Sequence, residues 1–246
     1  MSKNLSAAAS TQFDDMVKHE FQTMGSGIVA AVTVRNNVVG DTYKFRAMGK
    51  GLANQKQSQA DVTPMDISHS VITATLGNWN APEYTDIFDA AEVNFDEKQE
   101  LAHTIAGALY RRQEQIIIDA MDAATPGATV ATSEGGADTN MNIEKVVSAS
   151  NELNDAGVPM DKDRHMATSA SGLEYMLLES EVGSSDFSSV QALMTGELNY
   201  LMGFNWHIIE TRDEGGLSID GNDVRSSYAW HKSAVGMATG IDIRTD

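Results

Sequence analysis

Few residues in this chain are spaced for chemistry. Gly49 and Lys50 look like the end of a phosphate-binding loop, but such a loop needs Gly at position 44 and Ser or Thr at 51, where the chain has Lys44 and Gly51. Gly25, Gly27 and Ala30 fit a loose G-x-G-x-x-A pattern, but it follows a helical stretch rather than a strand, the wrong context for dinucleotide binding. The histidines, His19, His69, His103, His165, His207 and His231, are scattered, and none sits in an H-E-x-x-H pair. They read as surface or hydrogen-bonded core residues. Glu210, Asp213, Glu214, Asp220 and Asp223 crowd one stretch without the ligand order of a calcium loop, so a solvated acidic loop is expected, with a weak cation site as the alternative. There is no G-x-S-x-G elbow and no S-x-x-K pair in a catalytic context, and the absence of cysteine removes disulfides, thiolate zinc sites and thiol nucleophiles. No catalytic, cofactor-binding or metal-ligating residue is therefore assigned, and no cofactor is expected.

Composition narrows the classes further. The 246 residues carry 35 Asp and Glu against 17 Lys and Arg, a formal charge of −18. The 41% hydrophobic share is enough for a real core. No apolar run approaches the roughly 18 residues a membrane-spanning helix needs, and the N-terminus lacks the apolar centre of a secretory signal. The acidic balance argues against tight grip on a phosphate backbone, which uses clustered Lys and Arg.

Residues 5–24 read as an amphipathic helix with Phe13, Val17 and Phe21 at four-residue spacing, ended by Gly25 and Gly27. That stripe serves either its own core or a neighbouring subunit. Residues 28–34 are β-branched and read as a strand, Asn36 and Asn37 as a turn, and residues 38–48 as a second strand. A polar stretch at 51–64 separates this from an alternating segment at 67–76, which together predict a long hairpin. Two-stranded ribbons are marginal in water, so another surface must hold it. A short helix is expected at 84–91. Asn94 and Asp96 can cap a helix that runs to Ala124, roughly 28 residues and about 42 Å at 1.5 Å per residue. Leu101, Ile105 and Leu109, then Ile116, Ile117, Ala120 and Met121, form its apolar side. Asn142 caps a helix at 143–156. A strand at 164–168, helices at 170–179 and 186–195, and strands at 198–210 and 227–244 complete an α+β chain. Trp79, Trp206 and Trp230 read as core or interface anchors.

Three segments together carry a resemblance. The first is a strand running from Met166 into a serine-rich turn and a short helix with Leu173, Leu177 and Leu178. The second contains Met202, Gly203 and Phe204 ahead of an aromatic strand through Trp206. The third holds Ala229, Trp230, His231 and Lys232. In this order they resemble the closing half of tailed-phage major capsid proteins with the Hong Kong ninety-seven-type fold, most of all those of short-tailed phages. The resemblance covers essentially the whole chain.

That resemblance implies an N-terminal arm (1–27), a strand and extended β-hairpin loop (28–80), a peripheral domain with its spine helix (81–135, helix about 95–124), an axial domain (136–225) and C-terminal strands returning to the core (226–246). It implies a non-enzymatic shell subunit that forms hexamers and pentamers in an icosahedral head around packaged double-stranded DNA, in the host cytoplasm during assembly and in the virion afterwards. Phe13, Val17, Phe21, Phe45, Arg46, Met48, Lys50 and Leu52 are the expected subunit contacts. Partners would be other copies, a separate scaffolding protein, a portal and a decoration protein, with no membrane. The scaffold is expected because only about 27 residues precede the first strand. Some family members cross-link a hairpin lysine to an asparagine of another subunit. Lys44, Lys50 and Lys56 lie in or near the hairpin without a matching glutamate or acceptor motif, so salt bridges or solvent are expected for them. An encapsulin-like compartment shell is the alternative within the fold, and an acidic hydrolase with a cryptic site the alternative outside it. The acidic charge suits a shell that must confine DNA without sticking to it.

Overall fold

The computed structural model describes residues 27–59, 61–83, 97–136, 139–178, 200–212, 214–221 and 223–241. A 3-10 turn, Ile28–Ala31, leads into β1 (Thr33–Arg35). Strands β2 (Thr42–Met48) and β3 (His69–Thr75) form an antiparallel ribbon. Then come α1 (Glu97–Ala123), α2 (Ile143–Asp155), β4 (Arg164–Ser169), α3 (Ala170–Leu178), β5 (Tyr200–Leu201), β6 (Phe204–Ile209), β7 (Tyr228–His231) and β8 (Gly236–Ala238). The architecture is α+β. The helices expected at 5–24, 84–91 and 186–195 lie outside the described residues.

A four-stranded sheet in the order β5-β6-β4-β7 is the centre of the subunit. β4 runs parallel to β6 and antiparallel to β7, and Arg164 through Thr168 are all buried. Continuous burial is what a central strand covered on both faces requires. On one face Ala167, Ile209 and Trp230 pack with Ile117 and Ile118 of α1 and with Ile28, Ala31 and Val32. On the other, Met166, Phe204 and Trp206 pack with Val146 of α2 and Met176 of α3.

Several elements depart from their sequence reading for visible reasons. Residues 28–31 are helical rather than extended. Gly27, at φ 80°, turns the chain so that Ile28 and Ala31 drop into the core, and Trp230 Nε1 donates to the Ala31 carbonyl at 3.0 Å. Tertiary docking overrides β propensity here. The stretch 198–210 is two strands, because Met202 (φ 55°) and Gly203 (φ 87°) form a two-residue hairpin turn between the paired Leu201 and Phe204. Two successive left-handed residues match the twist of the flanking strands, and glycine takes that conformation without strain. The C-terminal stretch splits likewise. His231 Nδ1 accepts from the Ser233 N–H and opens a 3-10 turn at Lys232–Ala234 before β8.

Caps set α2 and α3. Asn142 Oδ1 accepts from Lys145 N at 2.9 Å while its Nδ2 donates to the Glu134 carbonyl. At the other end of α2, the fully buried Arg164 donates to the Val158 and Pro159 carbonyls and to Asn154 Oδ1. A cation there suits the negative end of the helix dipole. α3 starts directly from β4, with Ser169 Oγ accepting from Gly172 N.

Phe204 is wholly buried between the sheet and α2/α3. Phe204→Ala should cost about 3–5 kcal/mol in urea unfolding; a loss under about 1 kcal/mol would show that this layer is not a close-packed core.

Candidate functional site

The most exposed built feature is the β2–β3 ribbon. Seven residue pairs, Thr42↔Thr75 through Met48↔His69, give it a length of about 23 Å at 3.3 Å per residue. Twenty residues, 49–68, connect its strands, and the described ones are exposed apart from the half-buried Ile67. A connection this long inside a compact chain is ordinarily functional.

Alternation gives the ribbon two faces. Tyr43 and Phe45 share one, stacked edge to face at 4.8 Å, with Ile72 and Ala74 paired to them. Phe45 lies over Gly236 of β8, where a Cβ would come within 2.8 Å of the ring. The base is also tied by Val38 N to the Thr239 carbonyl and by Leu76 N to the Asp41 carbonyl. The other face carries Lys44, Arg46 and Met48 opposite Thr73, Val71 and His69. Lys44, Arg46, Lys50 and Lys56 fall within residues 42–59, which contain no carboxylate, although the whole chain is at −18. The ribbon is thus a basic and apolar projection on an acidic protein.

A second constellation ties the root of the N-terminal segment to α1. Glu114 Oε1 accepts from the Gly27 and Ile28 N–H groups, at 2.9 and 3.3 Å. Its Oε2 meets Arg212 Nη1 at 3.4 Å, and Arg212 Nη2 donates to Glu210 at 2.7 Å. Both Glu114 and Arg212 are buried. From there residues 214–218 run down the helix. Arg111 pairs Glu214 at 3.0 Å, Gln115 donates to the Gly216 carbonyl and accepts from the Gly216 N–H, and Asp122 accepts from Ser218. Positions 111, 115 and 122 share one helix face. Tyr228 also donates to Asp122, and this bond, followed by that from Ser218, holds the Asp122 carboxyl below the usual carboxylate range. Its contribution to stability is therefore present above pH about 4 and is lost as pH falls through the lowered value.

The family profile described as "Phage capsid protein" matches residues 5–246. This chain belongs to the phage capsid protein family. Among solved structures it superposes on the capsid of Cyanophage P-SCSP1u with a TM-score of 0.68 at 14% identity, covering 97% of this chain and 82% of that one. The capsid of Ralstonia phage GP4 gives 0.64 at 9% identity, covering 97% and 84%. The mature capsid of bacteriophage PhiM1 gives 0.61 at 10% identity, covering 91% and 77%. No curated protein matches the chain. The chain is a structural capsid protein with the fold of tailed-phage major capsid proteins, and its place is the virion shell. The family match favours neither a compartment shell nor a hydrolase.

In this capsid subunit the expected contact residues separate into groups. Phe13, Val17 and Phe21 lie outside the described residues. Phe45 turns inward onto Gly236 of its own chain. Lys50 also engages its own chain, with Nζ donating to the Ala156 carbonyl at 2.5 Å, just past the end of α2. Arg46, Met48 (68% exposed) and Leu52 (82% exposed) face outward. Val62, Met65, Val71 and Ile72 extend that exposed apolar surface and were not singled out from sequence. The signal for Val71 and Ile72 is their place in the alternating stretch 67–76; Val62 and Met65 lie in the connection before it and carry no such pattern.

The acidic loop is not simply solvated: Glu210 and Glu214 are spent on Arg212 and Arg111, and Leu217 is buried. The missed signal is Glu114, a carboxylate one turn before Ile117 and Ile118 on the buried stripe of α1, a position that demands a partner. Ile116 and Ala120, read as part of the apolar side, are exposed. Of the tryptophans, Trp206 and Trp230 are core, while Trp79 is exposed and lies 3.8 Å over Arg112 of α1.

Asp161, Asp163 and His231 lie close enough to share an ion. Their protons point to a clasp instead. His231 Nδ1 accepts from Ser233 N–H, which leaves the hydrogen on Nε2, facing Asp161 at 3.3 Å.

Removing one partner of the buried pair should cost more than removing both. Arg212→Ala is expected to lose about 3–5 kcal/mol in denaturant unfolding, against a smaller loss for Glu114→Leu combined with Arg212→Met. Equal losses would show that the pair is not isolated from solvent.

Proposed function

We propose that copies of this subunit assemble through the β2–β3 ribbon and the N-terminal segment into hexamers and pentamers of an icosahedral head that encloses double-stranded DNA. The observation that carries the reading is the ribbon itself. It leaves Arg46, Met48, Leu52, Val62, Val71 and Ile72 exposed, and residues 42–59 hold four cations and no acid in a chain of charge −18. The partner such a surface fits is an acidic one with apolar ground, which another copy supplies. Phe13, Val17 and Phe21 form the second contact. Phe45 seats the ribbon on its own chain, and Lys50 pins it at α2, so these two residues position the contact surface. The domain division at residues 27, 80, 135 and 225 follows the same reading.

The subunit works mechanically and without catalysis. A separate scaffolding protein sets curvature during assembly in the host cytoplasm, a portal occupies one vertex, and a decoration protein binds outside. The acidic charge keeps packaged DNA from adhering to the shell.

The test is the particle. Purified protein, with scaffolding protein where needed, should give megadalton shells in electron microscopy and sedimentation; a stable monomer or dimer under every assembly condition would sink the reading. Met48→Asp together with Leu52→Asp should abolish or strongly reduce shells while leaving the unfolding midpoint within about 0.5 kcal/mol, because exposed substitutions barely affect the fold. Undiminished assembly of that variant would remove the ribbon from the interface.

A further inference from the structure

Three rings stack on the sheet face that meets the root of the N-terminal segment. His165 of β4 is in register with Trp230 of β7, their centroids 5.8 Å apart at 28°. His207 of β6 lies 6.0 Å from the same indole at 25°. The two imidazoles touch edge to edge, with Nδ1 of His165 at 3.1 Å from Nε2 of His207. His165 is 92% buried, since 8% of it is exposed, and its Nε2 has no partner among the described residues. Trp230 is itself fastened to Ala31, as its Nε1 donates to that carbonyl.

A nitrogen-to-nitrogen bridge of this kind holds one proton. In the neutral pair, one ring donates N–H and the other offers its lone pair. With one extra charge the bridge survives, since the imidazolium still donates to a neutral ring. With both rings charged, two N–H groups and two like charges face each other across 3.1 Å, and the contact must open.

We propose that the His165, His207 and Trp230 stack is an acid-sensitive fastener between the central sheet and the root of the N-terminal segment. Charging both imidazoles parts the rings, frees the indole and loosens its hold on Ala31. The charged and titratable groups acting on His165 come from each neighbouring element: His207 on β6, Asp163 in the turn before β4, and Lys232 and His231 at the end of β7. Asp163 favours the proton; the other three oppose it. Burial is the largest influence, and it lowers His165 from 6.5 to about 4. Because the folded value lies below the ordinary one, the opened state binds the proton more tightly. The closed stack is fully favoured above pH about 6.5, weakens as pH falls, and bears its full penalty below pH about 4.

The full-length protein, wild type and variants, should be titrated from pH 7.5 to 4 while the thermal midpoint and tryptophan fluorescence are recorded. Protonation of the many carboxylates is common to all variants and cancels in the comparison. His165→Gln and His207→Gln keep a polar side chain but cannot take the second charge. His165→Gln should lose less of its midpoint across the window than wild type does, and His207→Gln should also lose less, by a smaller margin, because His165 stays buried in it. Trp230→Phe should remove most of the acid-dependent fluorescence change, leaving Trp79 and Trp206 as background. If His165→Gln does not fold, His207→Gln, at the more exposed ring, decides the matter. Midpoints falling in parallel for wild type and the folded histidine variant, or a fluorescence change that survives Trp230→Phe, would overturn the proposal.

Discussion

A carboxylate buried on the apolar stripe of a helix constrains everything around it. Glu114 sits among Ile117, Ile118 and the core, where an unpartnered charge would cost several kcal/mol. One oxygen is committed to the Gly27 and Ile28 peptides, the other to Arg212. These bonds decide how Gly27 and the 3-10 turn dock, and where the loop after β6 crosses α1. A hydrophobic residue at 114 could fill the same space, but it would leave the two peptide N–H groups without this acceptor. The pair therefore specifies geometry more than it adds stability.

With α1, the arm root and the sheet locked together, the ribbon is the part left to look outward. Among the described residues, its inner face rests on Gly236 and the strand ends near Thr239. Its outer face is basic and apolar. A protein that kept such a ribbon for itself would cover it with a helix or a third strand. In the proposed assembly the covering surface would arrive with the neighbouring copy. Capsid structures of 9–14% identity superpose on nearly all of this chain, so the arrangement outlasts almost every side chain that builds it.

Much of this was legible in the residues. Period-3.6 spacing placed the C-terminal end of α1, and the Asn142 cap both ends of α2, within one residue, because long helices and side-chain caps are local events; the caps expected at Asn94 and Asp96 lie outside the described residues. The ribbon followed from alternation around a polar tip. The resemblance string Met202, Gly203, Phe204 has a physical reason, a turn of two left-handed residues feeding a buried phenylalanine. What escaped was decided by partners distant in sequence. Residues 28–31 open on β-branched Ile28 and Val29 and are still helical, with Trp230 claiming the Ala31 carbonyl. Glu210 and Glu214 looked solvated because Arg212 and Arg111 cannot be matched to them without the fold.

The pairing of β1 with β8 has a consequence for the nascent chain. Thr33 Oγ1 reaches the Lys232 carbonyl, 199 residues further along, and Gly236 is the platform under Phe45. At translation speeds of about 5–20 residues per second, the ribbon waits about 8–32 s after its own synthesis for the strand that seats it. Until then the ribbon base and the groove beside β1 lack their last neighbour. A subunit thus seats its ribbon only once β8 has been made, and a chain cut before Gly236 would lack the platform under Phe45.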